Sequence, residues 1–214
     1  MRNWTSWPCA ILLLLAAAGM PRLAAGDGTP AAERTPAPAR PANWAVPVTL
    51  AGAPNLHRVA AHLYRGAQPD ATGLRNLEKL GVKTVINLRA SADDRDEAAG
   101  TNLRCVEVKI NTWRITDAEV LQVMRLLQPP ENGPFLIHCR HGADRTGLIC
   151  AMYRILFQNW SREAALKELR DGGYGYHAIW KNIPAYIEKA NLAKLRRQLG
   201  LPASNAPAPA PAAP

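Results

Sequence analysis

Apolar positions along the chain recur at two different spacings, and the changes of spacing divide it into elements. Leu63-Tyr64-Arg65 closes a short apolar stretch before Gly66 and Pro69, the pattern of a strand running into a turn. From Asp70 to Leu80 the leucines fall at 74, 77 and 80, one face of a helix, and Gly81 stops it. Thr84–Leu88 reads as a buried strand, Asp93–Ala99 as a short helix, and Cys105–Ile110, which alternates, as another strand. Thr116 followed by Glu119 is a capping box, and it opens a helix to Leu127 with Val120, Val123, Met124 and Leu127 on one face. Phe135–His138 is a short apolar strand, and Arg145–Phe157 is apolar enough to be a buried helix. Ser161–Arg170 follows as a helix, and Ile183–Leu199 as a last one with a basic exposed face. Strands alternating with helices predict an α/β fold, a central mainly parallel sheet flanked by helices. Sites in such sheets form beyond the carboxyl ends of the strands.

The flanks differ in kind. Arg2, the apolar run Ala10–Ala18 and the small residues Leu23-Ala24-Ala25-Gly26 have the three-part plan of a secretory signal over residues 1–26. The run is short for a bilayer span, so a cleaved signal is favoured over an uncleaved anchor, and a secreted or periplasmic location over a membrane-anchored one. Residues 27–43 and 202–214 are rich in Pro and Ala and read as a linker and a disordered tail. A single domain over 44–201 remains.

Net charge is +9. Losing Arg2 and Arg22 with the signal would leave 9 − 2 = +7, because residues 1–26 hold no other charge. That balance favours anionic partners. Nucleic acid is excluded as the leading one, for there is no dense Lys/Arg block and no binding motif. The basic face near Lys194, Arg196 and Arg197 leaves room for weak contact with an acidic membrane surface, a solvated face being the alternative. Cysteines stand at 9, 105, 139 and 150, which is neither a disulfide framework nor a zinc spacing, so no metal and no cofactor is expected.

The chemistry concentrates at His138–Gly147, HCRHGADRTG. Cys139, five residues and then Arg145 lie between a strand and a helix. A thiol at a helix N-terminus, ringed by backbone N–H groups and a guanidinium, is favoured as thiolate. The same N–H groups can cradle phosphoryl oxygens. Arg145 offers a planar fork for two of them. Gly142 lets the chain turn, and the Thr146 hydroxyl can bond Cys139. The chemistry that follows is covalent, through phosphocysteine. His138 supports the loop. Arg140, His141, Gly142, Ala143, Asp144 and Thr146 are the substrate-binding candidates.

This loop resembles that of the protein tyrosine and dual-specificity phosphatase superfamily. Leu63–Arg89, LYRGAQPDATGLRNLEKLGVKTVINLR, is similar to the opening of the fold in the small atypical dual-specificity phosphatases of bacteria, plants and fungi. The resemblance, from about His57 to Tyr186, implies a sheet-centred α/β fold and metal-free hydrolysis of phosphomonoesters by Cys139 with Arg145. It implies further that basic loop residues such as Arg140 and His141 go with highly phosphorylated substrates. A general acid comes in relatives from an upstream loop, and Asp117 is similar in position. Asp144, directly before Arg145, resembles instead the placement in the myotubularin and Sac lipid phosphatases. Asp117 is the favoured acid and Asp144 the rival, with a purely helix-stabilising Asp117 as a third reading. The Gly/aromatic segment Gly172–His177 is either a wall of the pocket or a packed turn.

The leading expectation is a phosphatase of the dual-specificity type. The alternatives are an inositol phosphate, phosphoinositide or phospholipid phosphatase, an inactive phosphate-binding module, and, least well matched, a rhodanese-like sulfur-transfer protein. Substrates are accordingly a phosphorylated protein, an inositol phosphate or a phospholipid.

Overall fold

The computed structural model describes residues 40–91 and 93–203. The predicted signal, most of the predicted linker and the tail beyond 203 lie outside the described residues. Six strands form one sheet: β1 (Val46–Pro47), β2 (His57–Ala60), β3 (Leu63–Gly66), β4 (Thr84–Asn87), β5 (Arg104–Glu107) and β6 (Phe135–His138). Their order is β1-β2-β3-β6-β4-β5. The four strands from β3 to β5 are parallel, and β1 and β2 add an antiparallel edge. That antiparallel edge was not expected from the sequence, and β1 has only two residues.

β6 lies between β3 and β4, and Gly66, His138 and Asn87 pair across the three strands at their carboxyl ends. The chain therefore leaves the middle of the sheet at Cys139. Alternation along the strands loads both faces. Phe135 and Ile137 join Ile86 and Leu63 in the larger core, while Leu136 joins Val85 and Tyr64 on the other side. The smaller side is closed by α1 (Ala71–Lys79) through Leu74 and Leu77. The larger side carries α2 (Asp117–Leu127), α3 (Asp144–Phe157), α4 (Arg162–Asp171), α5 (Asn182–Lys189) and α6 (Leu192–Gln198).

Local signals set most boundaries. Asp70 caps α1 by accepting from Gly73 N, Ser161 caps α4 through Ala164 N, and both halves of the Thr116/Glu119 capping box are made at α2. Three expectations need correction. Residues 93–99 form turns, not a helix, because Asp93 caps Arg95 N locally and the Asp94 carboxylate is drawn inward to His138. Ile183–Leu199 is two helices. Ala190 is extended at φ −52° and ψ 133°, and the Asn191 side chain accepts from Lys194 N to start α6 afresh. The basic face is also smaller than expected. Arg196 is buried, with Nη2 donating to Ile155 O (3.2 Å) and Asn159 Oδ1 (2.6 Å), and Lys194 is paired with Asp117. Arg40, in the predicted linker, donates to Gly172 O, Ala45 O and Tyr174 Oη and so belongs to the folded unit.

One buried ion pair ties α3 to α4. Arg154 Nε and Nη2 donate to Glu168 Oε2 and Oε1, each at 2.8 Å, and Glu168 also accepts from Ala45 N and Tyr174 Oη. Burial alone would push the Glu168 carboxyl up, but Arg154 and the other donors hold it below its ordinary value. A depressed carboxyl stabilises the fold above its unfolded pKa, and that contribution is lost as pH falls through the folded value. Glu168→Gln leaves Arg154 buried without its counter-charge. We expect a loss of roughly 3–5 kcal/mol in urea unfolding at pH 7. A loss under about 1 kcal/mol would show that the pair carries no such weight.

Candidate active site

The loop between β6 and α3 is shaped by what its carbonyls touch. Arg140 O accepts from Gln68 N (3.3 Å), His141 O from Asn55 Nδ2 (2.9 Å) and Gly142 O from Arg65 Nη2 (2.8 Å). Three consecutive carbonyls are thus drawn outward. In a trans peptide the N–H points opposite to the preceding C=O, so the N–H groups of His141, Gly142 and Ala143 turn to the concave side of the loop. Such a nest of N–H groups at the start of α3 holds an anion.

Gly142 permits this path. Its φ is +69°, and an added Cβ would lie 2.5 Å from Gly66 C and O. Arg65, 1% exposed, stacks its guanidinium 3.6 Å from the centre of the Tyr174 ring while it holds Gly142 O. Tyr174 in turn donates to Glu168, so the loop is anchored to the α3–α4 ion pair. Burial pushes the Tyr174 hydroxyl well above its ordinary value, which keeps it a donor.

Cys139 is buried at the base of the loop and is a free thiol, as are Cys105 and Cys150. Burial raises the Cys105 thiol and pushes Cys150 up to about 11, which disfavours the thiolate at both. His138 is wholly buried, with Nε2 2.8 Å from Asp94 Oδ2. Asp94 also accepts from Gln68 Nε2 (2.8 Å) and Asn87 Nδ2 (3.1 Å). Burial favours its neutral form, but His138 first, then Gln68 and the Arg89 charge, hold the Asp94 carboxyl below its ordinary value. His138 is thus held at the strand end, directly before Cys139, by the buried Asp94.

Arg145 makes no hydrogen bond or ion pair among the described residues, and its Nε is buried without a partner. The Thr146 hydroxyl is likewise buried and unpartnered, so the bond to Cys139 expected from the sequence is not formed here. Arg145 Nε and Thr146 Oγ1 are thus donors beside the loop that could serve phosphoryl oxygens, while Arg65 Nε and His138 Nδ1 are also buried without a partner among the described residues. Arg140 and His141 are exposed at its rim.

The two candidate acids are placed differently. Asp117 sits in the first turn of α2, where its carboxylate accepts from Lys194 Nζ (2.9 Å) and Tyr186 Oη (3.0 Å). Lys194 above all holds its carboxyl below the ordinary value. The cleft around Asp117 is lined by Trp113, Arg114, Asn182 and Tyr186, with no residue of the Cys139 loop. Asp144 is buried and accepts from His177 N (2.9 Å) and His177 Nδ1 (2.9 and 3.1 Å). The 172–177 segment packs Tyr174 inside and sets His177 against Asp144.

Arg65, Asn55, Gln68 and Asp94 were not expected at the site from the sequence, and His177 was expected only as part of the 172–177 segment. Arg65 left one signal, a cation inside an apolar stretch that ends at a glycine. Asp94 left none, being one acid in a polar run.

A family model described as the tyrosine phosphatase family matches residues 53–183, more than half of the chain. Dual specificity protein phosphatase TpbA of Pseudomonas aeruginosa is 42% identical over 190 residues, covering 88% of this chain and 85% of its own. A crystal structure of TpbA from P. aeruginosa, as a cysteine-to-serine variant with phosphotyrosine, is 37% identical with a TM-score of 0.69. That match covers 76% of this chain and 99% of the other. Inositol diphosphatase DSP5 of Arabidopsis thaliana is 28% identical over 123 residues, 54% of this chain and 60% of its own.

Gly142→Ala tests the loop geometry. The added methyl must displace either Gly66 or the loop, and kcat/KM for an aryl phosphate should fall about tenfold or more, ~1.4 kcal/mol of transition-state binding, with the circular dichroism unchanged. Unaltered kinetics would mean that the loop does not need this path.

Proposed function

This chain belongs to the tyrosine phosphatase family and is a cysteine-dependent phosphatase of the dual-specificity type, acting on phosphomonoesters, and from that premise we propose how its own residues carry the reaction. Cys139 Sγ attacks phosphorus and the bond to the leaving oxygen breaks, giving phosphocysteine. Water then attacks phosphorus, the S–P bond breaks, and the thiolate and inorganic phosphate are released. The loop N–H groups and the Arg145 fork bind the non-bridging oxygens in both steps, and Thr146 Oγ1 donates to the departing sulfur. The observation that carries this reading is the outward anchoring of three loop carbonyls around a buried thiol and an unpartnered arginine.

Asp117 is the proposed proton donor to the leaving oxygen in a conformation that frees it from Lys194 and Tyr186. Asp144, whose oxygens are held by His177, is the rival candidate. Phosphotyrosine in proteins is the favoured substrate, supported by the phosphotyrosine complex of the similar TpbA. Exposed Arg140 and His141 favour a second reading, in which a more highly phosphorylated inositol ring is bound, as the name of the Arabidopsis relative suggests. Export to the periplasm or the medium is proposed from Arg2, the apolar run 10–18 and the small residues before Asp27. N-terminal sequencing of protein from its host should begin near Asp27, and an intact Met1 in the cytoplasm would refute export.

The function is tested by turnover of a phosphotyrosine peptide and of inositol phosphates by the full chain. Cys139→Ser should abolish turnover and retain phosphate binding, and Asp117→Asn should slow an alkyl phosphate far more than p-nitrophenyl phosphate, whose leaving group needs little protonation. Turnover by Cys139→Ser refutes the nucleophile. Equal slowing of both substrates refutes the acid.

A further inference from the structure

Three side chains of metal-binding type meet at the mouth of the phosphate loop, and the reaction derived above uses none of them as a metal ligand. They come from separate segments: His141 from the loop, Asp144 from the start of α3 and His177 from the segment after α4. One donor atom from each lies within 4.8 Å of the other two. His177 Nδ1 is already 2.9 Å from Asp144 Oδ2, and the His141 and His177 rings are 5.4 Å apart between centres.

We infer that His141, Asp144 and His177 form a binding site for a divalent transition-metal ion, Zn2+ in the first instance. With Zn–ligand bonds of ~2.0–2.1 Å, two ligands of a tetrahedral ion sit about 3.4 Å apart. The Asp144–His177 edge is near that spacing. Rotation of the exposed His141 imidazole closes the third corner. The carboxylate is the fixed member: Asp144 is buried, and His177 N–H holds it at 2.9 Å. Both imidazoles face solvent, so the ion has a path of entry.

The donor set selects the metal. Two imidazoles and one carboxylate suit Zn2+ and its first-row neighbours, and leave at least one position open. Mg2+ and Ca2+ bind through oxygen charge, and here a single carboxylate stands among the three donors. The ion takes no part in phosphoryl transfer. By drawing His141 and His177 together it fastens the 172–177 segment across the mouth, so it inhibits.

The test uses the full chain as Cys139→Ser, which removes the active-site thiol as a rival ligand, titrated calorimetrically with Zn2+ and by visible absorption with Co2+. We expect one ion per chain, an affinity at least about tenfold weaker in both His177→Ala and His141→Ala, and no binding of Mg2+. EDTA should restore activity to Zn2+-treated wild type. No saturable binding to Cys139→Ser, binding that both histidine variants leave unchanged, or inhibition of wild type that EDTA does not relieve would each overturn the proposal. These readings of binding do not depend on turnover, so they stand apart from the phosphatase mechanism.

Discussion

Everything at this site depends on three carbonyls being kept away from it. A seven-residue stretch from Cys139 to Arg145 would otherwise present a mixture of N–H and C=O groups to an incoming phosphate, and carbonyl oxygens repel an anion. Gln68 N, Asn55 Nδ2 and Arg65 Nη2 each donate to one carbonyl, of Arg140, His141 and Gly142 in turn. The three donors come from two loops and one strand on the β2–β3 side of the sheet. The binding face is therefore made by contacts on the opposite face of the loop.

Those contacts need support of their own, because Arg65 is a buried cation. The Tyr174 ring covers it at 3.6 Å, and Tyr174 is fixed by Glu168, which Arg154 neutralises through two bonds of 2.8 Å. Removing a partner anywhere along this line strands a charge in low dielectric, a cost larger than the net worth of any single contact. His138 and Asp94 form a second buried pair before Cys139, linked through Asn87 and Gln68 to the strand ends, and Gln68 joins it to the carbonyl anchors.

The sequence spelled out what is local. Phe135–His138, the Thr116 capping box, the Asp70 and Ser161 caps and the apolar helix after Arg145 each depend on a few neighbouring residues, and each was readable. So was the loop, because Cys139, Gly142 and Arg145 act through spacing. What was hidden depends on distance along the chain. Asn55 meets His141 86 residues away, Asp94 meets His138 across 44, and Lys194 meets Asp117 across 77. The last contact also changes the standing of Asp117, whose carboxylate looks unclaimed in the sequence and is bound twice in the fold. Ile183–Leu199 shows the opposite failure: a helical period ran on through Ala190, and one asparagine cap outweighed it.

The central claim is that the backbone N–H groups of His141, Gly142 and Ala143 face the anion. Amide chemical shifts of the 15N-labelled full chain, followed during titration with inorganic phosphate, test it most directly. The account predicts that these three amides move most and move together, with the Arg145 Nε–H following. Movement concentrated elsewhere, with these amides unmoved at saturation, would contradict it.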